Sequence, residues 1–423
     1  MTADAATQSW LDAATEGPDY PGRKDARATF AKTGLPHRRM EDWKYTDLRT
    51  RLHEALPPAA PIDALRNLGE PFARRAQTEV RFGNGFFAGI KGELADGVRI
   101  TPLGEALKEG EAATAGLGES KAPVGDPMVA LNTALMRDGA VITVEAGARP
   151  GVILLSHEGR AGRQMIRNLI KLGEGAEAII IETHRGGDDA QQFQQVSEIA
   201  LGKGAKLTHI RLQDAGAKSV HLATDLVDVS ESADYRGFVL TSGGELSRQE
   251  SFIEFTGSNA KAHVSGAYLL SGNQHSDVTT RVNHAHPHCV SREVFKGVIA
   301  DNARGVFQGK IYVAEGAQKT DGHMLNKTLL LSDKAEMDAK PELEIYADDV
   351  KCSHGATTGQ LDANHLFYLR ARGIDEATAR GLLMQSFLAE ALEEVEDEKI
   401  RECLQDHVNT WLTAHGKAWG RAA

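Results

Sequence analysis

Gly173-Glu-Gly-Ala176, Gly202-Lys-Gly-Ala205, Ser230-Glu-Ser-Ala233 and Gly257-Ser-Asn-Ala260 are one small turn written four times, with alanines 29, 28 and 27 residues apart. Related turns follow at Asp301-Asn-Ala303, Glu315-Gly-Ala317 and Asp333-Lys-Ala335, less evenly spaced. Between them run short apolar stretches of period two: Val141-Ile-Thr-Val144, Glu177-Ala-Ile-Ile-Ile-Glu182, Lys206-Leu-Thr-His-Ile-Arg211 and Phe252-Ile-Glu-Phe255. Such alternation is a strand pattern, because successive side chains of an extended chain point to opposite faces. A unit this short cannot bury its own apolar face, so stacked units must share one continuous core. Helical repeats are excluded because no helical period runs through these segments, and leucine-rich repeats would need fixed Leu and Asn positions. An immunoglobulin-like sandwich would not repeat the turn. The expected fold is mainly β: a parallel β-helix (β-solenoid) over residues 138–358, with about three short strands per coil.

The flanks read differently. Residues 1–137 form a mixed, partly helical region, with Ala-rich charged helices over 4–16 and 23–33. Leu35-Pro36 breaks that pattern, and Arg38–Thr46 reads as a loop pinned by Trp43 and Tyr45 or as a partner surface. Residues 57–62 read as a Pro/Ala linker, and Phe82-Gly-Asn-Gly-Phe86 as a hairpin turn. Residues 359–423 are helical again. Asp362–Gly373 is a short helix with a Gly stop. Leu382, Leu383, Phe387, Leu388 and Leu392 then share one helical face, and Ile400, Leu404, Val408 and Leu412 recur every fourth residue. Such a bundle closes the open end of the solenoid, docks a partner, or does both.

The 423 residues carry 59 acidic against 48 basic side chains, a formal charge of -11. That balance argues against a general nucleic-acid grip, which needs clustered cations. Cys289, Cys352 and Cys403 are scattered and odd in number, so neither a disulfide framework nor a zinc ribbon is indicated. No export signal opens the chain and no apolar run is long enough for a bilayer, so a cytoplasmic protein without membrane contact is expected. The P-loop, GxSxG, HExxH and strand-borne GxGxxG patterns are all missing. A non-enzyme is the expectation.

Two polar constellations remain. In Asn283-His-Ala-His-Pro-His-Cys289, an extended backbone would bring His284, His286 and His288 to one face beside Cys289, a donor set for a borderline-soft metal. The plainer reading is a solvated or stacked histidine run. In Pro341–Gly355, Leu343, Ile345 and Ala347 alternate with polar neighbours, and after Asp348-Asp349 the side chains of Val350, Cys352 and His354 share a side. A thiol and an imidazole two residues apart present soft and borderline ligands together; alternatively the Cys is simply buried beside a His-Gly turn.

Several of these segments resemble the SufB/SufD family of iron–sulfur cluster assembly proteins, and its SufD branch in particular. Arg39-Met-Glu-Asp-Trp-Lys-Tyr-Thr46 is similar to the family's N-terminal segment. Lys340–Thr357 and Phe367-Tyr-Leu-Arg-Ala-Arg-Gly-Ile374 are similar to its C-terminal signature, and Pro287-His288 and Lys296-Gly297 match in between. The resemblance implies a right-handed parallel β-helix flanked by N-terminal and C-terminal helices. It implies a non-ATPase scaffold of the SUF system that pairs with SufB through the β-helix. The SufC ATPase would dock on the C-terminal helices, for which Leu366, Tyr368, Leu383 and Phe387 are the residues singled out. His354 and Cys352 would stand at the site where a transient iron–sulfur cluster, shared with SufB, is built. A SufD homodimer and a flavin in the complex are further implications that no residue pattern specifies. The competing readings are a purely structural adaptor and a stand-alone metal-binding β-helix using His284, His286, His288 and Cys289.

Overall fold

A computed structural model describes residues 4–14, 20, 22–62, 64–66, 68–110, 113–120 and 126–419. The reading of the chain's first residues and the last two positions of the expected 4–16 helix lie outside that range. The helices are α1 (Ala5–Ala13), α2 (Arg23–Thr33), α3 (Leu48–Arg51), α4 (Leu103–Glu109) and α5 (Pro127–Leu135), then α6 (Ala363–Ala371), α7 (Glu376–Leu392) and α8 (Glu398–Trp419). Before the repeats come β1 (Thr78–Gly83), β2 (Phe86–Gly92), β3 (Val98–Pro102) and β4 (Ala140–Val144). The coils begin with β5 (Val152–Gly159), β6 (Gly162–Leu172), β7 (Glu177–Gly186), β8 (Gln191–Leu201), β9 (Lys206–Asp214) and β10 (Ser219–Val229). They continue through β11 (Asp234–Thr241), β12 (Leu246–Phe255), β13 (Lys261–Leu270), β14 (His275–His284) and β15 (Val290–Ile299). They end with β16 (Arg304–Val313), β17 (Asp321–Leu330), β18 (Glu336–Ile345) and β19 (Lys351–Gly359).

These strands make a parallel β-solenoid of about eight coils. One sheet runs β19-β17-β15-β13-β11-β9-β7-β5-β1-β2, the other β18-β16-β14-β12-β10-β8-β6-β4-β3. Each coil holds two strands, not the expected three. A coil is two strands of about ten residues joined by two short corners, as in β7 and β8 with 10 and 11 residues. Inward polar side chains such as Gln195 and Ser197 interrupt the apolar alternation and disguise the true strand length.

The repeated turn forms one corner. Ala176, Ala205, Ala233 and Ala260 are each wholly buried, where nothing larger than a methyl group is supplied. The residue before each alanine is left-handed, with φ of 66° at Gly175, 66° at Gly204, 58° at Ser232 and 61° at Asn259. That twist aims its N–H along the stack. Gly175 donates to the Lys203 carbonyl at 2.9 Å, Gly204 to Glu231 at 2.9 Å, Ser232 to Ser258 at 3.0 Å and Asn259 to Pro287 at 3.2 Å. Glu315–Ala317 belongs to the same corner, whereas Asp301–Ala303 and Asp333–Ala335 lie on the opposite one, so the later spacing loses its regularity.

At the N-terminal end the hairpin turns through Asn84 and Gly85, φ 51° and 84°, and β1 pairs antiparallel with β2 and parallel with β5. The 57–62 stretch is no free linker: Ala59 N–H donates to the Arg163 carbonyl and Arg163 N–H to the Pro57 carbonyl, both at 2.9 Å. In the 38–46 segment Trp43 is the pin, buried with the Arg248 guanidinium 3.7 Å from its ring centre, while Tyr45 stays half-buried.

The C-terminal bundle does not close the end of the solenoid. It lies along the outer face of the first sheet, packing Met384, Leu388, Ile400 and Leu404 against Ile210, Phe238, Leu240 and Leu269. Ile400, Leu404, Val408 and Leu412 are all buried, as their spacing predicts, but Leu382 turns to solvent with 43% exposure.

Candidate functional site

The two ends of the solenoid differ. At the N-terminal end the antiparallel strands β2 and β3 finish the sheets. At the other end β18 and β19 pair only inward, with β16 and β17, and among the described residues no strand pairs with their outer edges. Ile345, the last residue of β18, and Tyr346, which opens the link to β19, are exposed. An uncovered edge of this length is a template for pairing with another chain.

Cys352 and His354 stand on that edge. In the parallel register Cys352 lies beside Gly322 and His354 beside Met324, whose side chain is buried in the core. Aligned residues of neighbouring strands face the same side, so both Cys352 and His354 are on the inward parity, about 7 Å apart along the strand. Cys352 is half-buried against the core and burial pushes its thiol above the ordinary range. His354 is exposed because no further coil covers it. Ser353, on the opposite parity, bonds His323 Nδ1 at 2.5 Å. The pair therefore offers a neutral thiol and an accessible imidazole at an open edge. A bound metal would lower the thiol pKa, but two ligands are too few to hold an iron–sulfur cluster.

The histidine run is not a strand. β14 ends at His284, and Pro287-His288-Cys289 is the next copy of the repeated turn: His288 is left-handed at φ 61° and donates its N–H to the Gln318 carbonyl at 2.9 Å. Cys289 takes the buried alanine slot, with its thiol on the Gly257 carbonyl at 3.4 Å. His284 points inward to Ser291 Oγ at 2.9 Å, and burial drops its pKa to about 3. His286 and His288 stay at the corner, His288 exposed, so the three imidazoles do not share one face. Counting the alanine spacing one step further, from Ala260 to position 289, would have revealed the turn.

On the C-terminal helices, Tyr368 is 56% exposed and Leu366 and Leu383 are half-buried. Phe387 is turned toward the solenoid, with the Lys296 ammonium 4.5 Å from its ring centre, which takes it out of a free docking face. Further exposed apolar side chains on α6 and α7 are Phe367, 74% exposed, and Leu382, beside a groove of about 480 Å³ lined by Gly381, Gln385 and Leu412. The signal for Phe367 is weak, because α6 buries none of its own side chains and shows no apolar stripe.

The chain is thus a stacked two-sheet parallel β-solenoid with an open coil end and a flanking helical bundle. The SufBD core domain of the SUF system for FeS cluster assembly matches residues 154–387. The chain is 33% identical over 386 residues to the iron–sulfur cluster assembly protein SufD of Escherichia coli, covering 88% of each chain. It is 31% identical over 407 residues to an iron–sulfur cluster assembly SufBD family protein of Synechocystis, covering 90% of this chain and 89% of that one. A chloroplastic protein of Arabidopsis thaliana, ABCI7, is 28% identical over 409 residues, 92% of this chain and 85% of its own. The chain belongs to the SufB/SufD family and is a SufD-like iron–sulfur cluster assembly protein of the SUF system.

Proposed function

We propose that this chain is a non-ATPase half-site of the assembly machine. It would pair through β18 and β19 with a SufB-type β-helix, and a SufC-type ATPase would engage α6 and α7. The observation that carries this reading is the open coil end, with Cys352 and His354 on its inward parity and its strand edges unpaired. A partner meeting that edge would cover His354, complete the ligand set for a cluster held as cargo, and desolvate both. The exposed Phe367, Tyr368 and Leu382 supply an apolar docking face next to the helices that grip the solenoid. Nucleotide-driven movement of the ATPase would then strain the end of the solenoid through those helices, a two-state element biased from another subunit.

The test is co-purification of this chain with SufB and SufC, wild type against His354→Ala, with iron and sulfide quantified after anaerobic reconstitution. An intact complex that loses its cluster on His354→Ala supports the half-site. An intact complex with unchanged cluster reduces the chain to a structural adaptor. Phe367→Ala with Leu382→Ala is expected to release SufC while leaving the SufB pairing intact.

A further inference from the structure

The interior of the solenoid is not uniformly apolar. Inside the coils built from β5 to β10, far from β19, three imidazoles are buried together: His157, His184 and His221. The His157 and His184 rings stack with centroids 4.6 Å apart, and His221 meets His184 edge to face at 4.7 Å. Among the described residues, both ring nitrogens of His157, Nδ1 of His184 and Nε2 of His221 have no hydrogen-bond partner. Burial disfavours protonation of all three rings. Every unmet buried polar group costs about 1–3 kcal/mol, and native interiors rarely carry several side by side without an ion or water between them.

Glu182 lies behind this cluster. Its carboxylate takes His184 Nε2 at 3.2 Å, His209 Nε2 at 2.9 Å, Gln195 Nε2 at 2.6 Å and Arg211 Nε at 3.1 Å. With Nε2–H of His184 committed to a carboxylate, Nδ1 is left as the lone-pair nitrogen, the arrangement that orients metal-ligating imidazoles. Ligand atoms of His157, Glu182 and His184 lie within 4.8 Å of one another. Arg211 also bonds Asp225 at 2.9 Å, so one guanidinium balances two buried carboxylates. A cation would remove the surplus negative charge.

We propose that His157 and His184, with His221 beside them and Glu182 behind, bind one divalent first-row transition ion inside the solenoid. Imidazole and carboxylate donors without thiolate select zinc or ferrous iron over soft copper(I), and calcium or magnesium would want oxygen ligands. The His157 ring, whose nitrogens make no hydrogen bond among the described residues, rotates about its side-chain torsions to share the ion with His184 Nδ1. Because the cluster is enclosed, the ion enters as the coils close and leaves only when they open. It acts as an internal staple, separate from the cluster-building edge.

The full chain is unfolded with chelator, refolded with Co²⁺, passed over chelating resin, and its metal counted. The variants are His157→Phe, which extends the ring stack from Phe82, and His184→Gln; a Cys352→Ser/His354→Ala double variant is the control. Wild type and control are expected to keep about one Co²⁺ per chain with a ligand-field absorption band, while the two histidine variants lose about tenfold or more in affinity. Natively refolded wild type that retains no ion overturns the proposal without reference to any variant. Equal retention by His157→Phe and His184→Gln overturns it too, since the ion would then sit elsewhere.

Discussion

Lys296 offers the sharpest test of how the C-terminal helices grip the solenoid. It projects from the outer face of β15 yet is only 2% exposed, because α7 lies across it. Its ammonium donates to the Phe387 carbonyl at 3.1 Å, pairs with the Glu390 carboxylate and sits over the Phe387 ring. Burial pulls its pKa below the usual lysine range, so desolvation takes back part of the gain. A hydrogen bond from a charged group contributes about 1.5–3 kcal/mol. The cation–π contact adds about 1 kcal/mol. The ion pair to the largely exposed Glu390 adds about 0.5 kcal/mol or less. Lys296→Met keeps the apolar stem and removes the charge, and after the desolvation relief we expect α7 docking to weaken by about 2 kcal/mol. That is roughly a thirtyfold shift in a local opening equilibrium. Hydrogen exchange followed by mass spectrometry should show amides of α7 and α8 exchanging about thirtyfold faster, with strands β7 to β11 unchanged. Unaltered exchange in α7, or uniform acceleration that includes the solenoid core, would refute the reasoning.

Three other outcomes are expected. Glu293, buried with only the Thr280 hydroxyl bonded to it, has its pKa raised by burial to about 7. The folded chain therefore binds the extra proton between the ordinary carboxyl range and pH 7, and stability falls as pH rises through that window; Glu293→Gln should be about 3 kcal/mol more stable than wild type at pH 8 and indistinguishable near pH 4, read from urea midpoints. Gly297 has no room for a side chain because the Tyr268 ring crosses it, so Gly297→Ala should lower stability by about 3 kcal/mol, and adding Tyr268→Leu should restore part of that loss. Trp43→Ala removes the ring over Arg248 and should cost about 3 kcal/mol, opening the 38–46 segment to trypsin; unchanged resistance would show that Arg248 and its carboxylates hold the segment alone.

The solenoid was legible because its corner is written in local chemistry: a left-handed residue followed by a small one, repeated. The same device hid the histidine run, where Pro287, His288 and Cys289 replace the usual residues and mimic a ligand cluster. The interior polar cluster left a subtler trace. Glu182 and Arg211 each lie six residues after their turn alanines, Ala176 and Ala205, and so share one interior row. Aligning the coils on the turn places them together, but nothing in either strand alone says that they meet. The lie of the C-terminal bundle was not legible, since an apolar helical stripe specifies that a face is buried and not which surface buries it. Likewise the inward parity of Cys352 and His354 depends on Met324, a strand away.

The unlike ends of the solenoid also set a limit on polymerisation. Coils that add in one sense need a parallel edge at each end, and β2 and β3 run against their neighbours. Head-to-tail growth in parallel register is thereby disfavoured, and among the described residues the β18 and β19 end is where parallel coils can be extended. A second β-helix adding in register at the β18 and β19 end would therefore make a stack of two, with one seam per pair.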